Sequence, residues 1–200
     1  MIVLGAAIAA SLVYLPWLAI LPVVLLALVL QFFRDPERLS PAPPVAVISP
    51  ADGKVVDISA VDEPEHVGGK AKRIAIFMSV FDVHVNRSPV KAKVEWVRHV
   101  PGRFMNAVRS AAGLENERLL VALRDEAGRP ALLNLVAGFV ARRIVCALSP
   151  GQTVHRGQRI GMIRFGSRVE VFVPDDDRFE VAVRLGQAVR AGRTVLGEWR

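Results

Sequence analysis

Short runs of apolar and β-branched residues, separated by glycine and proline, recur from position 45 to the end of the chain. Several of them alternate apolar and polar side chains, as Val169–Val173 does. Alternation at a period of two, with many β-branched residues, is typical of strands that bury one face. The runs predicted as strands are Val45–Ile48, Val55–Ile58, Arg73–Met78, Lys93–His99, Leu119–Leu123, Ala131–Val136, Arg143–Leu148, Arg159–Phe165, Val169–Val173 and Phe179–Val183. Many short strands joined by tight turns predict a mainly β fold, a β-rich α+β domain of barrel or sandwich type.

The pattern Gly-Gln-x-Val-x-x-Gly occurs twice, at Gly151–Gly157 and at Gly186–Gly192. Each copy predicts a turn, one inward-facing strand residue and a second turn, and together they suggest a pseudo-symmetric pair of strand layers around Ser167. The pattern resembles the hairpins of barrel-sandwich hybrid folds in biotinyl and lipoyl carriers, and glycine-punctuated hairpins of other folds converge on it too. Beyond the N-terminal segment, Gly102–Ala112 is the best candidate for a helix.

No charged side chain occurs from position 1 to position 33. A spanning helix needs about 20 apolar residues, so residues 1–33 predict a membrane anchor, either one tilted span or, with breaks at Pro16 and Pro22, a re-entrant hairpin. Residues 34–44, which are rich in proline, predict a stiff linker to a catalytic domain at 45–200. Arg34 and Arg38 beside the apolar run favour an inner-membrane location with the domain on the cytoplasmic face.

The formal net charge of +7 is spread along the chain rather than gathered in one block. Dispersed arginines, few aromatic residues and no recognition-helix motif argue against a nucleic-acid partner. Attraction to anionic lipid headgroups is the simpler interpretation. The single cysteine, Cys146, lies in an apolar run and is interpreted as a small buried hydrophobe rather than a nucleophile. Because no cysteine cluster occurs, no metal site is predicted.

The dipeptide Gly166-Ser167 lies between two strand-like runs in Ile163–Val171. Two companion segments precede it: Ser49–Val55, which reads Ser-Pro-Ala-Asp-Gly-Lys-Val, and Phe77–Pro89, which contains Phe-Asp-Val-His-Val-Asn-Arg-Ser-Pro. These three segments, in this order behind an apolar N-terminus, resemble the phosphatidylserine decarboxylase proenzymes, in particular the short bacterial form. The resemblance covers roughly positions 34 to 200.

The resemblance implies that the Ser167 hydroxyl attacks the carbonyl of Gly166 and that the chain cleaves itself there. The products would be a β chain of residues 1–166 and an α chain of residues 167–200 that begins with a covalent pyruvoyl group derived from Ser167. That cofactor would form a Schiff base with phosphatidylserine, leading to phosphatidylethanolamine and carbon dioxide. The implied partners are the phospholipid, the membrane and the two cleaved chains, with a homo-oligomer as a further possibility.

Alternation in Phe81–Asn86 predicts that Asp82, His84 and Asn86 share one face of a strand. An acid and an imidazole in that arrangement can position each other and relay a proton. The resemblance implies a charge-relay role in self-cleavage for Asp82, and His84 is the candidate for proton transfer. Larger relatives use another histidine after the Pro-Gly pair, and the stretch after Pro101-Gly102 contains none. His84 is hypothesised to take that role; alternatively, Asp82 and His84 satisfy hydrogen bonds at a strand end.

Other polar residues are given structural interpretations beside their functional ones. Asn116-Glu117-Arg118 matches the family near its active site and also fits a solvated turn. Asp52-Gly53 predicts a turn that supports the cleavage loop. Arg142-Arg143 fits either a lipid phosphate or a solvated strand end. The remaining residues, interpreted as packing, surface or acidic-turn residues, are His66, His99, His155 and Asp175–Asp177.

Two other classes of function stay open from the residues alone. A membrane-tethered carrier or adaptor would carry out no chemistry, and the loops that would present its modified lysine hold His155-Arg156 and Arg190-Ala191 instead. A structural assembly protein would use the anchor and the basic β surface to hold partners. A nearer alternative is a pyruvoyl enzyme that acts on another serine-like headgroup or amino acid.

Overall fold

The computed structural model describes residues 3, 5, 16–40, 42–105, 112–138, 143–164 and 167–200. The chain divides into two units, Met1–Pro36 and Glu37–Arg200. In the first unit a 3-10 turn at Pro16–Ala19 leads into helix α1, Ile20–Phe32. Within the described ranges, no helix combines the length and the apolar character that crossing a membrane requires. The anchor at 1–33 therefore stays a prediction.

The second unit is built around an antiparallel sheet of eight strands, in the order β13-β2-β3-β11-β7-β6-β5-β9. Apolar residues of these strands form the main core, and strands β6, β7 and β11 are buried on both faces. The mainly β class is confirmed. The strands are β2 Gly53–Glu63, β3 Gly69–Met78, β5 Ala92–Val100, β6 Arg118–Asp125, β7 Pro130–Val136, β9 Thr153–Val154, β11 Ser167–Pro174 and β13 Ala188–Val189.

Two smaller sheets, each of three antiparallel strands, contribute apolar residues to the same core. One has the order β1-β14-β12, with β1 Ala46–Ile48, β12 Phe179–Val181 and β14 Val195–Trp199. The other has the order β4-β10-β8, with β4 Val85–Arg87, β8 Ile144–Cys146 and β10 Arg159–Ile163. Each of the ten predicted runs contains a strand, whereas β14 was not predicted.

The two Gly-Gln-x-Val-x-x-Gly copies form β9 and β13, which lie at opposite edges of the large sheet. In each copy the valine, Val154 or Val189, is buried in the core. The flanking glycines have φ between +75° and +86°, a left-handed backbone that favours glycine. The predicted turn, inward strand residue and turn are thus confirmed, whereas the predicted pair of strand layers is one sheet, with β11 inside it and a copy at each edge.

The helix predicted over Gly102–Ala112 is wrong for its first residues. Arg103 instead forms a parallel bridge with Asn116, and its N–H donates to the Glu115 carbonyl at 2.7 Å. Residues 106–111 lie outside the described ranges, and the helix that is described, α2, runs over Ala112–Glu115. The backbone of Arg103 thus bonds to residues more than ten positions away, and local sequence does not specify such a contact.

Glu37 and Arg38, within the predicted linker, form polar contacts with the strands and turns of the second unit. The Arg38 guanidinium forms an ion pair with Asp52, with one Nη2–Oδ2 distance of 2.7 Å, and it also donates to the Ala191 carbonyl at 2.8 Å. Asp52 accepts the Ala191 N–H at 2.8 Å as well. Glu37 pairs with Arg159 at 2.5 Å. The stiff linker at 34–44 stays a prediction.

Candidate active site

Ser167 is the first residue of β11, one of the inner strands of the eight-stranded sheet. It lies opposite Met78, the last residue of β3, and its side chain is fully buried on the same face as Val169 and Val171. Among the described residues, its Oγ has no hydrogen-bond partner. This hydroxyl, a candidate nucleophile, therefore lies on the apolar face of β11, at the first residue of the strand.

Residues 79–84 connect β3 of the large sheet to β4 of a small sheet at this end. Because β11 pairs with β3 and β10 pairs with β4, strands β10 and β11 belong to the same two sheets. The Ile163 N–H donates to the His84 carbonyl at 3.4 Å, which places His84 beside the end of β10. The structure thus places Asp82 and His84 between β4 and Met78, the residue opposite Ser167. Gly166, the other predicted cleavage residue, lies outside the described ranges.

Asp82 and His84 do not share a strand face, contrary to the prediction. Asp82 lies in a turn, where its N–H donates to the Ser79 carbonyl and its Oδ2 accepts both the N–H and the Oγ–H of Ser79 at 2.7 Å. The strand begins only at Val85, so Asn86 alone of the three polar residues belongs to it. Short polar side chains that bond to nearby backbone favour turns over strands, which explains the error.

The His84 imidazole is fully buried, and its Nδ1 lies 2.9 Å from the carbonyl oxygen of Asp82. A carbonyl can only accept, so this contact assigns the proton of a neutral ring to Nδ1 and leaves Nε2 as the basic nitrogen. Oδ2 of the Asp82 carboxylate is bonded to Ser79. The Asp82 main-chain carbonyl holds the Nδ1 side of the imidazole.

Asn86 also reaches the site. Its side chain is fully buried, and Nδ2 lies 3.7 Å from the Sδ of Met78, the residue opposite Ser167. The sequence placed Asn86 third in the polar alternation but assigned it no role. The polar alternation was the only feature of the sequence that marked Asn86, because its contact with Met78 depends on how β3 and β4 lie relative to each other.

The other face of β11 carries a buried ion pair that the sequence reasoning missed. Arg168 Nε lies 2.7 Å from Glu170 Oε1, and both side chains are almost fully buried. Asn134 Nδ2 donates to Glu170 Oε2 at 2.9 Å and to the Gly113 carbonyl at 3.0 Å. The available signal was the placing of two charged residues at alternate positions of an otherwise apolar strand.

Asn116 supports the backbone near this second face and has a structural role. It is fully buried; its side chain pairs with the main chain of Met105 in both directions and donates to the Ala137 carbonyl at 2.8 Å. Glu117 lies 3.2 Å from the Nε2 of His99, and Arg118 donates to the Leu114 carbonyl. The triplet is thus a bonded segment that leads from the Arg103–Asn116 bridge into β6, not a solvated turn.

The remaining polar candidates also have structural partners. His66 Nε2 contacts the Leu123 carbonyl at 2.9 Å. In the acidic turn, Asp175 pairs with Lys72 and Asp176 with Arg178, both at 2.7 Å. Cys146 packs against the core, and burial raises the pKa of its thiol, as expected of a weak nucleophile. Arg143 is exposed, whereas Arg142 lies outside the described ranges.

Comparison with known proteins gives a consistent result. The family profile described as phosphatidylserine decarboxylase matches residues 25–197. A phosphatidylserine decarboxylase proenzyme of Symbiobacterium thermophilum is 48% identical over 169 residues, covering 84% of this chain and 78% of the relative. The proenzymes of Desulfotalea psychrophila and Nitrosomonas europaea are each 46% identical, covering 86% and 92% of this chain and 79% and 84% of their own lengths. The chain belongs to the phosphatidylserine decarboxylase family.

Proposed function

We propose that this member of the phosphatidylserine decarboxylase family is a proenzyme that cleaves itself between Gly166 and Ser167 and then converts phosphatidylserine to phosphatidylethanolamine and carbon dioxide. The observation that carries the proposal is the Ser167 hydroxyl, fully buried and without a hydrogen-bond partner among the described residues. Such a group costs about 1–3 kcal/mol of stability. Because such a hydroxyl destabilises the fold, its presence is best explained by a role in the reaction.

In the proposed cleavage the Ser167 oxygen attacks the carbonyl carbon of Gly166. A C–O bond forms, the peptide C–N bond breaks, and the hydroxyl proton ends on the released nitrogen of residue 167. Loss of the α proton of residue 167 then expels the Gly166 carboxylate and leaves dehydroalanine. Addition of water and loss of ammonia convert that residue to a ketone, the pyruvoyl group. Every step uses only water and the chain itself.

His84 is the proposed proton carrier. Its main chain is bonded to Ile163 at the start of the cleaved loop, and its Nδ1–H donates to the Asp82 carbonyl. The basic Nε2 can accept the serine proton and return it to the nitrogen that leaves. Asp82 closes the Ser79–Asp82 turn with Oδ2, and its main-chain carbonyl accepts from the imidazole. The role proposed for Asp82 is to position His84 in the charge relay.

The pairing of β11 would keep residue 167 in place after the chain is cleaved, as a catalytic group at that position requires. From Ser167 onward, β11 pairs with β3 as far as Pro174, and it pairs with β7 from Arg168 to Phe172. These ladders hold the new N-terminus on the buried face, where little water can compete. A pyruvoyl group there would supply an electrophilic ketone for the substrate amine and a conjugated system to take up the electron pair that stays behind when carbon dioxide leaves.

The membrane part of the proposal rests on the sequence. A substrate with two acyl chains is held in a bilayer, and the uncharged segment at 1–33 would keep the enzyme beside it. The arginines that follow this segment favour the cytoplasmic face of the inner membrane. Fractionation of cells that express the full chain, compared with a chain lacking residues 1–33, tests this part separately.

Intact mass of the purified full chain tests the cleavage. We expect two polypeptides, residues 1–166 and 167–200, with the second carrying a ketone that borohydride traps in the presence of an amine. Ser167→Ala is the matched control and should remain one chain without activity. A wild-type chain that stays whole yet decarboxylates lipid would overturn the proposal.

The same preparation separates the alternatives. A carrier, an adaptor or an assembly protein has no reason to break at this peptide bond, so an intact and inactive chain would favour those classes. A decarboxylase for another headgroup would be cleaved but inactive on phosphatidylserine vesicles. Release of carbon dioxide from carboxyl-labelled phosphatidylserine, free serine and phosphoserine distinguishes that case.

A further inference from the structure

Among the buried polar atoms that have no hydrogen-bond partner in the described part of the chain, two belong to side chains next to Met78. They are the Oγ of Ser167 and the Oδ1 of Asn86. Buried polar groups in folded proteins are nearly always bonded, so each exception requires an explanation. Cleavage accounts for the serine, while nothing in the proposed function so far accounts for the asparagine.

Met78 lies beside both groups. In the register of β3 and β11 it is directly opposite Ser167, and the Cβ atoms of such pairs are about 4.5–5.5 Å apart. Its Sδ is also the atom that Asn86 Nδ2 contacts, at 3.7 Å. The strand partner of Asn86 is Gly161, which has no side chain to compete for the amide. The amide and the hydroxyl therefore flank one methionine side chain.

We infer that Asn86 is a positioning residue for self-cleavage: its Oδ1 accepts a hydrogen bond from the Ser167 hydroxyl when the side chain takes up its reactive rotamer. This inference rests on the proposed function. The bond satisfies both partnerless atoms at once. It also holds the hydroxyl hydrogen in one direction, which leaves the Oγ lone pairs for the attack on the carbonyl carbon.

Asn86 does not serve as the base. An amide oxygen is too weakly basic to keep the proton, so the proton leaves for a stronger base as the C–O bond forms and ends on the nitrogen of residue 167. Asn86 holds the hydroxyl before attack, and the proton carrier acts during it. The two contributions therefore respond differently to pH, which makes them separable.

The decisive variant is Asn86→Leu, which keeps the approximate volume and removes the acceptor. Pulse-chase in a cell-free synthesis of the full chain gives the cleavage rate, read as the ratio of precursor to fragments. We expect a loss on the order of 100-fold, the usual result of misplacing a reacting group. The pH at which the residual rate is half-maximal should not change.

Stability distinguishes positioning from a structural role. In the uncleavable Ser167→Ala background, Asn86→Leu should leave the urea midpoint unchanged or raise it, because it removes a buried polar atom that lacks a partner. A structural role predicts a lower midpoint together with slower cleavage. Met78→Leu is the matched control; it removes the sulfur contact, keeps Oδ1, and should cleave within about threefold of wild type, as volume-conserving swaps do.

Asn86→Asp covers the case in which the leucine variant does not fold. It keeps an acceptor oxygen, so cleavage should stay within about tenfold of wild type at neutral pH and fall as the new carboxylate becomes protonated. The inference is overturned if Asn86→Leu cleaves at the wild-type rate, if its urea midpoint falls, or if Asn86→Asp is as slow as a non-cleaving control. Failure of the wild type to cleave would overturn the proposed function instead, so the two failures are distinguishable.

Discussion

The two faces of strand β11 differ in the kind of polar group that they bury. On one face Ser167 begins an apolar row with Val169, Val171 and Val173, and its hydroxyl has no partner among the described residues. On the other face Arg168 and Glu170 form a buried ion pair, although Arg168 Nη2 has no partner among the described residues. Both faces are shielded from water, so burial alone does not decide which group is reactive. Chemistry distinguishes them: the Glu170 carboxylate is bonded by Arg168 and Asn134, whereas the Ser167 hydroxyl is a candidate nucleophile that no described residue bonds.

The charged face can hold the strand while the other face reacts. Glu170 is bonded by Arg168 and Asn134, and Asn134 in turn binds the Gly113 carbonyl in α2. These contacts link two strands of the sheet to the segment that covers them. A strand fixed on one face can present a residue at its first position on the other face with little loss of order.

Glu170→Gln should have the largest effect on the charged face of β11, because it leaves the Arg168 cation buried without a counter-charge. We expect a loss of about 3–5 kcal/mol in the free energy of unfolding, measured by urea denaturation in the uncleavable Ser167→Ala background. The double variant Arg168→Met/Glu170→Gln removes the cation as well and should recover most of the loss. A cost below about 1 kcal/mol for the single variant would show that the pair does not hold the strand.

Gly113→Ala probes the same face by crowding. A Cβ at this position would lie 2.6 Å from Glu170 Oε1 and 2.9 Å from Oε2, and the carboxylate is held by two other residues. Overpacking of this kind costs about 1–3 kcal/mol. In a double-mutant cycle with Glu170→Ala, the cost of the added methyl group should largely disappear. If the cost were equal in both backgrounds, contact with Glu170 would not be its cause.

The smallest expected effect concerns the reactivity of the Cys146 thiol at the apolar core. It packs against the apolar core that also contains Val169, and burial raises the pKa of its thiol. A raised pKa favours the neutral thiol at neutral pH, so alkylation by iodoacetamide should be slower in the folded chain than in urea and should rise with pH beyond the ordinary thiol range. Faster alkylation in the folded chain would contradict this. Apolar packing alone would then not lower the reactivity of a nucleophilic side chain in this core.

Much of the fold could be predicted from local sequence. Period-two alternation located a strand in every predicted run, and the repeated glycine pattern located the two edge hairpins with their inward valines, because pleating and positive φ are local properties. The helix at Gly102–Ala112 failed over its first residues because Arg103 pairs with Asn116, a contact between separate segments. Strand β14 was missed because its valine and leucine are followed by Gly197 and Glu198, which weaken the alternation.

The candidate site was predictable only in part. Motif resemblance identified Ser167, Asp82 and His84, and the structure places all three at one end of the sheet. The same motif suggested a shared strand face, whereas Asp82 bonds to Ser79 and forms a turn. The position of Asn86 beside Met78 depends on the register of two strand pairs, which no local pattern specifies.

Local sequence specified most of the strands, the glycine turns, and the serine that follows a glycine between two strands. The hydrogen-bond partners of the buried polar atoms depend on the tertiary structure. It bonded Arg168 to Glu170 and left Ser167 Oγ and Asn86 Oδ1 beside Met78. The physical reason is that backbone preferences act over a few residues, whereas satisfaction of a buried hydrogen bond depends on register and packing between strands far apart in the chain.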